Sequence, residues 1–215
     1  METSLSIKTF SLGAWMTNCY LLSTDDCEAC CVIDAGFEPG ELITSIKAMG
    51  KHCSVLILTH SHLDHIAGAA EMLAEWPDME ILIHESEAGF LNDPVKNLSV
   101  IAGMPVTAPP ETGTLRHAQV LNVPGAELKV LHTPGHSPGC VCLYAADHGV
   151  LFAGDTLFHG SVGRYDFPGS DGDALFDSIR NHLLSLPDET RFFPGHGPGG
   201  TIGEERSTNP FLSAF

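Results

Sequence analysis

The chain has 215 residues, enough for one domain, or at most two small ones, with ample length for a core. Hydrophobic residues make up 43% and charged residues 17%, which fits a folded globular enzyme and excludes a disordered chain. Ten Lys and Arg against 27 Asp and Glu leave a formal charge of −17, a field that repels phosphate backbones, so neither a nucleic-acid partner nor an anionic membrane is expected.

No apolar stretch approaches the roughly 20 residues that span a bilayer. Met1–Ser6 lacks the basic and apolar regions of a signal peptide, which gives a cytoplasmic expectation. The seven cysteines (19, 27, 30, 31, 53, 140 and 142) then read as reduced thiols rather than a disulfide framework. The Cys27–Cys31 cluster lacks a second Cys/His pair at zinc-site spacing and sits in a hairpin-like context, so a packing role is expected.

In chain order, strands are predicted at 5–12, 18–23 and 30–34, with a polar turn at 24–26. Leu42, Ile43, Ile46 and Met49 share one helical face over 38–50, and Gly50 is a stop. "SVLIL" (54–58) is almost wholly apolar with β-branched residues, a strand buried on both faces. Helices follow at 65–76 and 85–92 around a strand at 80–84. Residues 93–110 are rich in Pro, Gly and Ser and read as a surface loop near the site. Strands are then predicted at 118–123, 127–133, 140–146 and 149–154. An amphipathic helix over 171–186 turns Leu175, Phe176, Ile179, Leu183 and Leu184 inward, and 190–195 is the last strand. Mixed strands with few, well-separated helices suggest two sheets with helices outside, a four-layer α/β arrangement.

Four apolar runs end alike. Val55–Leu58 leads to His60, His62, Asp64 and His65; Leu128–Leu131 to His136; Val150–Gly154 to Asp155; Arg191–Gly195 to His196. If these strands share an orientation, their loops meet at one edge. Seven nitrogen and oxygen donors with no thiolate exceed one tetrahedral ion and suit two metals sharing a carboxylate. His60 and His62, two apart in an extended loop, can chelate one ion, and Asp64 and His65 can swing toward a second. The remaining histidines carry less weight: His52, His84, His117, His148 and His182 read as satisfied polar groups, and His132 and His159 as supporting or loop-packing residues.

"THSHLDHIAG" (59–68), "TPGHSPG" (133–139), "GDTLF" (154–158) and "PGHGP" (194–198) resemble, in order, the metal motifs of the metallo-β-lactamase superfamily. "VIDAG" (32–36) is similar to that fold's early strand–Asp–turn, where the aspartate, here Asp34, has a structural role. Within the superfamily the chain most resembles the glyoxalase II branch, the hydroxyacylglutathione hydrolases, in a short bacterial form. The resemblance implies an αββα sandwich in a single domain spanning 1–215. It also implies a first metal held by His60, His62 and His136, a second by Asp64, His65 and His196, and Asp155 bridging them. Zinc is the first candidate, with iron or manganese also suited to these donors. The implied reaction is hydrolysis of a small-molecule thioester, S-lactoylglutathione or a related hydroxyacylglutathione, by a metal-bound hydroxide, with Asp64 and Asp155 as catalytic carboxylates.

The substrate end departs from that branch. "GRYDF" (163–167) keeps a basic residue, Arg164, as the substrate-binding candidate, but Asp166 and Gly197 stand where the branch carries glutathione-contacting tyrosines. A similar Gly-Arg-x-Asp-Phe stretch belongs to persulfide dioxygenases of the same fold, which use one iron held by the equivalents of His60, His136 and Asp155. A metal-binding protein of this fold without turnover is a further alternative. Oligomeric state is not legible in the sequence.

Overall fold

The computed structural model describes residues 5–213 of the chain; residues 1–4, on which part of the signal-peptide reading rests, lie outside the described residues, as do 214–215. Two six-stranded mixed sheets lie face to face. The first contains β1 (Ser6–Leu12), β2 (Thr17–Ser23), β3 (Ala29–Ile33), β4 (His52–Ile57), β5 (Glu80–His84) and β6 (Gly113–Leu115), in that order. The second runs β14 (Gly200–Thr201), β13 (Arg191–Pro194), β10 (Val150–Gly154), β9 (Val141–Ala145), β8 (Ala126–His132) and β7 (Val120–Val123). A two-stranded ribbon, β11 (Leu157–Phe158) with β12 (Ser161–Val162), follows β10.

Three apolar layers explain this stacking. Alternation along β4 sends Val55 and Ile57 between the sheets and Leu56 toward the outer helices. Between the sheets, Tyr20, Leu22 and Ile33 meet Val130, Leu143 and Phe152. On the outer face of the first sheet, Leu42 and Ile46 of α1 (Gly40–Ala48), Ile66 of α2 (Leu63–Ile66) and Met72 of α3 (Ala69–Glu75) cover Val32 and Leu56. On the outer face of the second, Leu175 of α4 (Gly172–Ser178) and Ile202 of α5 (Ile202–Thr208) cover Leu151 and Phe192. The result is the expected αββα sandwich, and among the described residues no helix is long and apolar enough to cross a membrane.

Several elements differ from the sequence reading, each for a local reason. The helix expected over 65–76 is broken into α2 and α3 at Gly68, whose backbone N–H reaches the Ala35 carbonyl at 2.8 Å. A side chain there would sit 2.4 Å from the Gly36 carbonyl. The helix expected at 85–92 shrinks to a single 3₁₀ turn, Glu85–Glu87, because Gly89 takes a φ of +76°. The helix at 171–186 shortens to α4 followed by a π turn at Ile179–Leu183, which keeps Ile179 and Leu183 buried. Arg191–Pro194 is not the last strand: β14 pairs antiparallel with it, and α5 starts from a capping box formed by Thr201 and Glu204. β6, β11 and β12 are too short to leave a periodic signal.

Orientation matters most for the site. β10 and β13 are parallel, and β9 runs antiparallel to both β10 and β8, so β8, β10 and β13 all end at the same edge. The first sheet is joined to that edge by hydrogen bonds from Val141 N–H to the Thr59 carbonyl (2.9 Å) and from Asn18 N–H to the Gly195 carbonyl (2.7 Å). All seven cysteines are free thiols; Cys30 packs under the outer helices and Cys31 between the sheets.

Phe152 is fully buried between the sheets, its ring 5.2 Å from that of Tyr20 and 5.5 Å from that of Phe193. Phe152→Ala is expected to cost about 3–5 kcal/mol of stability, read from chemical denaturation of the purified protein.

Candidate metal centre

The loops that leave β4, β8, β10 and β13 bring all seven sequence-predicted ligands together. His60, His62 and His136 form one group, His60, His65 and Asp155 a second, and Asp64, His65 and His196 a third; within each group the ligand atoms lie within 4.8 Å of one another. Asp155 faces both ends of the cluster. Its Oδ1 is 3.4 Å from His65 Nε2, and its Oδ2 is 3.6 Å from both His136 Nε2 and His196 Nε2.

Most of the imidazoles are aimed by what holds the far ring nitrogen. His60 Nδ1 donates to Thr59 Oγ1 (3.1 Å), His65 Nδ1 to Asp34 Oδ2 (2.8 Å), His136 Nδ1 to the Arg164 carbonyl (2.8 Å) and His196 Nδ1 to the Trp15 carbonyl (3.1 Å). In the neutral form each of those four rings therefore presents the lone pair of Nε2 to the centre, the tautomer a metal ligand needs. His62 enters through Nδ1, 2.9 Å from His136 Nε2. The two nitrogens share one proton when no cation is present, and with both acting as ligands a cation would take that proton's place.

The donors fit a metal. His60 Nε2, His65 Nε2 and Asp155 Oδ1 are buried with no hydrogen-bond partner, an arrangement that costs several kcal/mol unless something else satisfies it. Burial, then the neighbouring histidines, pushes His60 well below the usual imidazole range, and burial with His136 beside it takes His62 to about 3. Both stay neutral and available as ligands. Burial alone would raise the Asp155 carboxyl, but the His65, His136 and His196 charges outweigh it and bring it to about 2. Burial also opposes ionisation of Asp64, and again His65 and His196, with Thr17 Oγ1 donating at 3.0 Å, hold it ionised. Burial would lower His65, yet Asp34, Asp64 and Asp155 around it raise it well above the ordinary value. Three carboxylates converging on buried imidazoles call for positive charge.

Supporting residues surround the ligands: Asp34, expected in a structural role, and Glu87, which carries no sequence motif of its own. Asp34, at a φ of +60°, accepts from Thr59 N–H and Thr59 Oγ1 (both 2.8 Å) as well as from His65. Glu87 is fully buried and accepts from Ser61 N–H (2.6 Å), Gly139 N–H (3.0 Å) and Ser137 Oγ, so one carboxylate ties the His60–His62 loop to the His136 loop. Gly195 leaves room for Asp155: a Cβ there would lie 2.1 Å from Oδ1. Glu87 lies three residues beyond β5 with no local cue that separates it from Glu85, and its partners are 26 to 52 residues away.

The other histidines divide as expected. His132 stacks on His84 at 3.8 Å and donates from Nε2 to the Pro138 carbonyl (3.0 Å). His148 reaches the Gly125 carbonyl. His159 lies at the mouth of the cavity with Nδ1 on buried Glu205 (2.9 Å). Arg164 also reaches the cavity, but its guanidinium is bound two-pronged to Asp166 (2.9 Å each) and lies 4.1 Å over the Phe167 ring.

Asp34→Asn is expected to weaken metal binding roughly 10- to 100-fold, measured by calorimetric titration, because His65 loses its acceptor. Glu87→Ala leaves two buried N–H groups without an acceptor and is expected to cost about 3 kcal/mol of stability in denaturant titration.

Comparison with known proteins agrees with this geometry. Residues 12–196 match the model of the metallo-beta-lactamase superfamily. The chain is 35% identical to hydroxyacylglutathione hydrolase GloC of Haemophilus influenzae over 212 residues, 98% of this chain and 99% of that one. Among solved structures, the B3 metallo-beta-lactamase BLEG-1 superposes with a TM-score of 0.92 at 38% identity, covering 97% of this chain and 100% of that one. TTHA1623, solved in a di-iron-bound form, superposes with a TM-score of 0.84 at 38% identity, covering 95% and 100%. The chain belongs to the metallo-beta-lactamase superfamily, as a metallo-hydrolase related to the glyoxalase II branch.

Proposed function

We propose that the protein is a metal-dependent thioester hydrolase, with hydroxyacylglutathiones such as S-lactoylglutathione as its reference substrates. In this reading His60, His62 and His136 hold one divalent ion, Asp64, His65 and His196 a second, and Asp155 bridges the two. Zinc is the proposed metal, and iron or manganese would suit the same donors; the similar TTHA1623 was solved with two irons. The observation that carries the reading is the second group, Asp64, His65 and His196, complete beside the first and joined to it by the two oxygens of Asp155. A one-iron dioxygenase site does not call for it.

Bound divalent ions would lower the pKa of a water toward about 7 and polarise the carbonyl under attack. Net reaction adds water across the carbonyl carbon–sulfur bond: a C–O bond forms, the C–S bond breaks, and a carboxylate and a thiol leave. The chain's own part is positioning. Asp64, its Oδ2 fixed by Thr17 Oγ1, orients the attacking water, and Asp155 keeps the two ligand groups in register. No general acid is needed for the leaving group, since a thiol of pKa about 8.5 departs readily as thiolate. Arg164 is the proposed substrate contact at the rim of the cavity.

Chelator-stripped protein is expected to lose S-lactoylglutathione hydrolysis and to regain it with two equivalents of zinc, iron(II) or manganese(II), followed by thiol release with a thiol reagent. Full activity in protein shown by elemental analysis to be metal-free would overturn the reading. Oxygen consumption with glutathione persulfide in place of thioester hydrolysis would transfer the site to dioxygenase chemistry.

A further inference from the structure

Resting on the thioester reading, we propose that the cavity over the ligand cluster selects thioesters with an apolar acyl group over those with a small hydroxyacyl group on a charged carrier. The cavity measures about 680 Å³, within the roughly 300–1,000 Å³ usual for small-molecule sites. Its floor is the ligand cluster, so the reacting carbonyl has to lie there, and the substituents of that carbonyl run along the walls.

Those walls are apolar and come from separate segments. Trp15 projects from the turn between β1 and β2, its ring stacked on Phe37 at 5.2 Å. Leu98 and Ile101 come from the loop between β5 and β6, Phe158 from β11, and Phe167 from the stretch after Arg164. Phe167 lies edge-on to His62 (5.7 Å) and His136 (6.0 Å), and Phe158 is 6.3 Å from His196, so apolar surface begins directly beside the ligand rings. Ile101 is 61% exposed and Trp15 40%, and covering such surface is favourable in proportion to the apolar area removed from water.

The same walls offer little to a charged carrier. Glutathione brings two carboxylates, and a site built for them needs free cationic or N–H donors. Among the described residues lining the cavity, Arg164 is the single Lys or Arg, and its Nε and Nη2 are turned to Asp166, which leaves Nη1 as its donor toward a ligand. His159 commits Nδ1 to Glu205. With a formal charge of −17 on the chain, an anionic tail gains nothing from the long-range field either.

The test uses the full chain loaded with zinc and a series of N-acetylcysteamine thioesters running from acetyl through butanoyl to hexanoyl. The expected result is a rise in kcat/KM of about fourfold per added methylene until the cavity is filled, with hexanoyl exceeding S-lactoylglutathione. Ile101→Ser, at an exposed position, should lower the hexanoyl-to-acetyl ratio severalfold. A ketone analogue with CH2 in place of the thioester sulfur gives a readout independent of turnover. Its hexanoyl form should quench Trp15 fluorescence, a change missing in Trp15→Phe because Trp76 packs against the outer-helix core. Thioester hydrolysis with a flat acyl series, or with S-lactoylglutathione preferred, overturns the substrate class and leaves the thioesterase intact. Ketone binding by zinc-loaded protein that hydrolyses no thioester, or that prefers a lactone or β-lactam, overturns the thioester reading itself.

Discussion

The carboxylate of Asp34 is the constraint on which the site depends. It sits immediately after β3, buried, and takes hydrogen bonds from the Thr59 backbone, the Thr59 hydroxyl and the His65 ring. Fixing Thr59 fixes His60 through the same hydroxyl, so one aspartate orients at least one ligand in each of the three clustered groups. The left-handed backbone at Asp34 is one that aspartate tolerates better than most residues. Buried ionised groups persist where every lone pair has a donor, and this network meets that condition on its protein side while leaving the inward-facing atoms bare.

The second requirement is that two sheets meet at one edge without drifting. Apolar packing between them is non-directional and would tolerate small slides. Directional bonds at the site edge remove that freedom. Thr59 and Gly195 accept across the sheets, Tyr20 donates to the Pro194 carbonyl at 2.5 Å, and Glu87 joins the loops that carry His60, His62 and His136. Glycines at 163 and 195 let backbone pass close to Asp155, where a side chain at 163 would collide with its backbone carbonyl and one at 195 with its carboxylate. The centre is therefore held by backbone and buried carboxylates more than by the helices that surround it.

Function divides between floor and walls. The floor gathers histidine and aspartate donors suited to divalent metal, and its electrostatics keep His60 and His62 neutral and Asp64 and Asp155 ionised while raising His65 and His196. The walls decide what reaches it, and they are apolar, with their one guanidinium already paired. The contrast between a site suited to general hydrolysis and walls suited to an apolar group locates substrate choice in Trp15, Ile101 and Phe167 rather than in the ligands.

The seven candidate ligand positions, which the fold gathers into one cluster, were legible because they are local: each lies just beyond an apolar run, and four of them share the six-residue stretch from His60 to His65. The layered fold was legible for a similar reason, since two-residue alternation and helical spacing are properties of neighbouring residues. Broken helices and the short strands β6, β11, β12 and β14 were not, because contacts with distant backbone set them, as Gly68 against Gly36 illustrates. Glu87, the Trp15 and Arg164 carbonyls, and the pairing of Arg164 with Asp166 at the mouth of an apolar cavity likewise appeared only with the tertiary structure. By itself the sequence determined which groups could bind metal. Which atoms of those groups face inward, and what surrounds the approach to them, only the fold decided, because hydrogen bonds from residues far along the chain choose each ring's tautomer and walls from separate segments converge.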